Sequence, residues 1–262
     1  MSQPAVAVLA PLPFELVYSD GEPLETDWHV WQLHLLMDLI GRAMAEQGRT
    51  DFFMGGNMFV YYSVAQARGV WEEETKRRPK REVRGPDAFW VGGVDPDRER
   101  KAWVAWEEDG RLPDVIFELL SPSTAKNDRG EKKEVYQDVF RTAEYFLCDP
   151  DARTVEGFRL AGASYRPIRP DAEGRLPSEQ LGVSLGVWRG VAKGKKGDWV
   201  RLFRRDGTLV PAPEERAEAE RQRAEASDQR AEAEHQRAER ERQRAEAAEA
   251  ELSRLRAALG EL

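Results

Sequence analysis

The chain has 262 residues, 40% of them hydrophobic and 8 of them Trp, enough to bury one sizeable core and still carry an appendage. A formal net charge of -8 excludes a protein that coats nucleic acid by bulk electrostatics, since neutralising phosphates takes clustered Lys and Arg. It does not exclude a nuclease, because a cation-filled carboxylate site with a local basic patch supplies the missing attraction.

The single Cys148 forms no internal disulfide, which suits a reducing cytosol. The stretch from Met1 to Leu12 lacks a basic leader and is interrupted by Pro4 and Pro11, so it reads as a poor export signal. No segment is long and apolar enough to span a bilayer, and the expected location is cytoplasmic.

In chain order, WHVWQLHLLMDLIGRAM (Trp28 to Met44) repeats apolar residues at helical spacing behind an N-cap at Thr26 or Asp27, which predicts the first helix. FFMGGNMFVYYS, GPDAFWVGG and PDVIFELLS are apolar runs rich in aromatic and branched residues, bounded by Gly, Pro or charge, and they read as three core strands. DRGEKKEVYQDVF returns to helical spacing, and EYFLCDP reads as a strand ended by Asp-Pro. TVEGFRL, ASYRPIRP, GVSLGVWRG and DWVRLFRRDG then predict a β-meander extending the sheet. The expectation is an α/β fold with a helix, three strands, helix, strand core in residues 1–210, followed by a charged helix in 211–262.

In that tail the triplet Arg-Ala-Glu begins at Arg216, Arg223, Arg230, Arg237 and Arg244, a strict seven-residue period of good helix formers. Ala217, Ala224, Ala231, Ala238 and Ala245 lie in phase with Leu252 and Leu259, but their companions are Glu220, Ser227, Glu234 and Glu241 until Ala248 and Leu255. Only the last two heptads look adhesive. The tail reads either as a weak coiled coil that joins copies of the chain or as a solvated single helix.

Chemistry concentrates between Gly85 and Tyr136. Asp87 follows a proline at the start of one expected strand, and Glu118 lies inside the next, sharing a face with Asp114, Ile116 and Leu120 by period two. A carboxylate within VIFELL is costly unless paired or bound to a metal, although an exposed sheet face or a structural ion pair would also account for it. On the following helix Lys132 shares a stripe with Val135, Tyr136, Val139 and Phe140 and so points inward, while Lys133 falls on the stripe facing water. An inward lysine beside inward acids is either a plain salt bridge or a group that steadies an attacking water.

These pieces resemble the Uma-type family of bacterial restriction endonucleases, a branch of the PD-(D/E)XK nuclease superfamily. The matching runs are GPDAFWVGG, PDVIFELLSPSTAKNDRGEKKEVY and RTAEYFLCDP in that order, and SDGEPLETDWH and FFMGGNMFVYYS are similar to one subgroup. The resemblance implies a restriction-endonuclease-like core in which one strand brings an acid, Asp87, and the next brings E-x-K. Here Glu118 is the second acid, but Leu120 stands at the usual lysine, and Lys132 from the helix takes its place. It further implies that Asp87, Glu118 and the backbone carbonyl of Leu119 hold Mg²⁺ or Mn²⁺, that Glu22 or Glu25 adds an outer carboxylate, and that the reaction is hydrolysis of DNA phosphodiester bonds. The alternative, favoured by Leu120 and by the acidic net charge, is a nuclease fold without catalysis that assembles through its C-terminal helix.

The remaining features read as follows. KRRPKREVRG (Lys76 to Gly85) is either a solvated loop or a contact for the DNA backbone. His29 packs or caps, Ser121 to Thr124 enters a helix, Cys148 packs as a small hydrophobe, and Gly55-Gly56 and Gly92-Gly93 mark bulges or turns.

Overall fold

Thr26 accepts a hydrogen bond from His29 N and starts helix α1 (Asp27–Glu46), whose apolar stripe of Leu33, Leu36, Ile40 and Met44 is buried. The structure is a computed structural model that describes residues 12–19, 26–79, 82–83 and 85–260. The N-terminal stretch from Met1, together with Glu22, Glu25 and, within the basic run, Lys80, Arg81 and Arg84, lies outside the described residues.

After α1 come β1 (Phe52–Gly56), β2 (Val60–Tyr61), α2 (Val64–Thr75), β3 (Ala88–Gly92), β4 (Trp103–Val104) and β5 (Val115–Leu119). Then follow α3 (Ala125–Arg129), α4 (Glu131–Asp138), β6 (Glu144–Asp149), β7 (Thr154–Ala161) and β8 (Ser164–Pro167). The chain closes with β9 (Leu176–Ser178), β10 (Val183–Ala192), β11 (Lys195–Phe203) and α5 (Pro213–Gly260). The expected core order of helix, three strands, helix and strand is carried by α1, β1, β3, β5, α4 and β6, in a mixed α/β fold with a long C-terminal helix.

The main sheet runs β1-β3-β5-β6-β7-β8. Only β5 and β6 pair in parallel, Val115 opposite Glu144 through Leu119 opposite Cys148, and α3 and α4 make the crossover that a parallel pair requires. Both strands are buried on both faces, as their unbroken apolar runs demand. One face packs on α1 through Trp90, Phe117, Phe146 and Cys148; the other packs Ile116, Leu120, Tyr145 and Leu147 on Tyr136 and Phe140.

Several expectations are corrected. FFMGGNMFVYYS is two strands in two sheets: β1 edges the main sheet, while β2 pairs in parallel with β4. Gly55 and Gly56 lie within β1 and leave room for the Phe89 ring and the Met37 side chain, so they are close-approach positions and not turns. Only β7 and β8 extend the main sheet; β9, β10 and β11 form a sheet of their own, which joins the α1 side of the core. There buried Gln32 of α1 bonds both Val200 N and Val200 O of β11. The helix read from DRGEKKEVYQDVF breaks at Gly130 into α3 and α4, and Val139, beyond the last turn, is exposed. Helix α2 carries too few apolar residues to announce itself.

By contact density the chain divides into residues 1–212 and 213–262. Val210 and Ala212 are buried in the core of the first. In the second, α5 opens on Pro213, whose missing N–H costs nothing at a first helical position, and Arg–Glu pairs three and four residues apart line its surface. Among the described residues no helix is long and apolar enough to cross a membrane.

Gly85 fixes the approach to β3: a Cβ there would stand 2.4 Å from the carbonyl oxygen of Met58, and Asn57 N donates to Asp87 O nearby at 2.7 Å. Gly85→Ala should therefore displace the start of β3 and cost about 1–3 kcal/mol by chemical denaturation. An unchanged midpoint would show that the β2–β3 approach is slack.

Candidate active site

Antiparallel pairing of β3 and β5 sets Ala88 opposite Phe117 and Trp90 opposite Val115, so one step further Asp87 faces Glu118. The two residues are linked in both directions. Asp87 N donates to Glu118 Oε2 at 3.3 Å, and Leu119 N donates to Asp87 Oδ2 at 2.6 Å. Leu119 thus meets the site through its amide.

The third expected group arrives from α4. Lys132 Nζ lies 3.0 Å from Glu118 Oε2, with its side chain 18% exposed and that of Glu118 fully buried. Leu120, at the strand position where a lysine was sought, is core, and its carbonyl oxygen accepts from His29 Nε2 at 3.3 Å. His29 Nδ1 also lies 2.7 Å from the Oγ1 of Thr26, the residue that caps α1, so the imidazole ties the start of α1 to the end of β5. Asp114 stays apart from these acids, accepting from Gly92 N at 2.9 Å. Lys133 does not point to water: its ammonium sits 3.4 Å from the centre of the Phe158 ring, and burial lowers its pKa.

Sequence reasoning missed two members. Asp128 of α3 is buried, and its Oδ1 lies 3.0 Å from Lys132 Nζ, opposite Glu118. Its spacing of four from Lys132 was the available signal, hidden within the polar run AKNDRGEKK. Tyr136 was read as packing, yet its hydroxyl donates to Glu118 Oε1 at 2.9 Å. The anchoring continues behind it, where the Tyr145 hydroxyl donates to the Asp128 backbone oxygen at 2.8 Å.

Two buried carboxylates therefore flank one ammonium, and a third, the half-buried Asp87, is bonded to Glu118. Burial raises the pKa of Asp87 from its ordinary value against the pull of Lys132, and raises Glu118 well above its own, with Asp87 and Asp128 adding repulsion. Burial alone would depress Lys132, but the charges of Glu118, Asp128 and Asp87 outweigh it and hold the lysine protonated. Burial, followed by the charge of Glu118, pushes the Tyr136 phenol up, so it remains a donor.

Such a site suits a hard divalent cation. The donors are carboxylate oxygens, and their uncompensated negative charge is what a cation would neutralise. Among the described residues no three His, Cys, Asp or Glu side chains are arranged to hold an ion together. Asp87 and Glu118 would leave backbone and water oxygens to complete the shell of such a cation.

The basic run beside the site is partly spent. Lys76 and Arg78 both pair with Glu72, at 3.1 and 2.7 Å. Ser121 Oγ, bonded to Thr124 Oγ1 and accepting from Thr124 N at 3.1 Å, shapes the entry to α3 as expected of a turn.

Two outcomes follow from these contacts. Tyr136→Phe removes the donor to a buried carboxylate oxygen and should cost about 1–3 kcal/mol of unfolding free energy; a variant as stable as wild type would mean the phenol is incidental. The raised Glu118 carboxyl contributes stability that is full below its ordinary value of 4.5 and is lost as pH rises through the folded value. In chelator-treated buffer the wild type should accordingly lose stability relative to Glu118→Gln as pH climbs from acid to neutral. A flat or opposite difference would contradict the assigned burial effect.

Comparison with known proteins bears on the same segment. No curated protein matches the chain. A crystal structure of a putative nuclease belonging to DUF820 from Anabaena variabilis ATCC 29413 matches at 16% identity and a TM-score of 0.39, covering 63% of this chain and 81% of that one. The profile of the Uma2 family, described as "Putative restriction endonuclease", matches residues 10–192, more than half of the chain and all of the acids and the lysine above. The chain belongs to the Uma2 family.

Proposed function

We propose that the chain is a Mg²⁺- or Mn²⁺-dependent endonuclease that hydrolyses DNA phosphodiester bonds. The observation that carries this reading is the convergence of Asp87, at the entry to β3, Glu118 of β5 and the Lys132 ammonium of α4 in one largely buried cluster. Its support from kinship is membership of a restriction endonuclease family.

Asp87 and Glu118, with the carbonyl of Leu119, would hold the cation, which when bound would supply Lewis-acid chemistry at a phosphodiester oxygen and at a water. Lys132 orients the attacking water and offsets charge building on phosphorus. Tyr136 keeps Glu118 aimed at the cation by occupying its other oxygen. The catalytic domain in this reading is residues 1–210 and works in the cytoplasm on DNA. The 211–262 helix is an appendage through which copies associate, with Leu252 and Leu255 exposed 50% and 55% near its end.

Cleavage of supercoiled plasmid in Mg²⁺ or Mn²⁺ tests the reading, with folding of each variant checked by thermal melting. Wild type should nick the plasmid, chelation should abolish nicking, and Asp87→Ala, Glu118→Ala and Lys132→Ala should each lower it by about a hundredfold or more. A folded wild type inactive on DNA in either metal would favour the alternative of a nuclease fold that serves as an interaction protein.

A further inference from the structure

Lys132 Nζ stands 3.0 Å from Glu118 Oε2 on one side and 3.0 Å from Asp128 Oδ1 on the other. Glu118 Oε2 is also the oxygen that accepts from Asp87 N, whereas Oε1 is taken by the Tyr136 hydroxyl. A cation shared by Asp87 and Glu118 must therefore meet the oxygen that the ammonium covers. An ammonium and a divalent ion on one carboxylate oxygen repel each other, so one must withdraw.

Asp128 offers the place to withdraw to. Its side chain is 1% exposed, and its Oδ1 has no hydrogen-bond partner among the described residues, so the ammonium 3.0 Å away is the one group that offsets its burial. Its position is fixed: the backbone breaks at Gly130, φ -111 and ψ -104, and the Tyr145 hydroxyl holds the Asp128 carbonyl.

We infer that Asp128 is a positioning residue that retains the Lys132 ammonium when a divalent cation takes up Glu118, passing the lysine from one carboxylate to the other within the site. The inference rests on the metal-dependent reading above. Without Asp128 the ammonium would stay on Glu118 and compete with the ion.

The test is Mn²⁺ affinity of the full chain, measured by electron paramagnetic resonance titration, with thermal melts confirming that each variant is folded. Asp128→Asn should weaken Mn²⁺ binding by about tenfold or more. Adding Lys132→Met removes the competitor, so the double variant should bind within about twofold of Lys132→Met alone. A double variant that binds clearly more weakly than Lys132→Met makes Asp128 a ligand and overturns the inference, as does wild-type affinity in Asp128→Asn. No Mn²⁺ binding by wild type instead overturns the metal-dependent reading itself. Should Lys132→Met not fold, a Mn²⁺ co-crystal of wild type decides: Nζ held by Asp128 and released from Glu118 is expected, and Nζ still on Glu118, or Asp128 on the ion, is the contrary result.

Discussion

The Lys132 ammonium is the point on which the interior of this protein turns. Withdrawing one charge from water costs several kcal/mol, and here Glu118 and Asp128 are withdrawn around a single cation, with Asp87 beside them. Two contacts at 3.0 Å return part of that cost, and burial, with repulsion from the neighbouring carboxylates, keeps Glu118 well above its ordinary value. A core built only for stability has little reason to hold such a cluster, since apolar residues of similar volume usually serve as well.

The surrounding fold holds the cluster in register. β5 and β6 lie at the centre of the sheet, buried on both faces, so Glu118 has no route to water along the strand. Hydrogen bonds to main chain fix the edges: Thr142 Oγ1 to Pro113 O at 2.9 Å beneath β5, and His29 Nε2 to Leu120 O at its end. The aromatic contacts of Tyr136 with Tyr145 and Phe140 lock the helix that carries the lysine. Packing and polar placement thus come from the same residues, and Tyr136 belongs to both.

Residues 213–262 follow a different logic. Long Arg, Glu and Ala repeats with pairs at helical-neighbour spacing favour a helix without any core to pack on. That is why the seven-residue period alone sufficed to foresee α5.

By itself the sequence determined the elements whose periodicity is local and strong: α1, the buried runs of β3, β5 and β6, the inward stripe carrying Lys132, and α5. It also marked Asp87 and Glu118, because a proline and an acid interrupting apolar strands are conspicuous. Short or polar elements were silent. Helix α2 has few apolar residues, β2 and β4 are two residues each, and Asp128 sits in a run where every neighbour is polar. Tertiary structure alone decided that Asp87 faces Glu118, because strand register depends on both partners at once. It also decided that a lysine fourteen residues beyond Glu118 fills the space beside it, and that Asp128 stands on its far side. Those are contacts between segments, and no single segment carries the information that sets them.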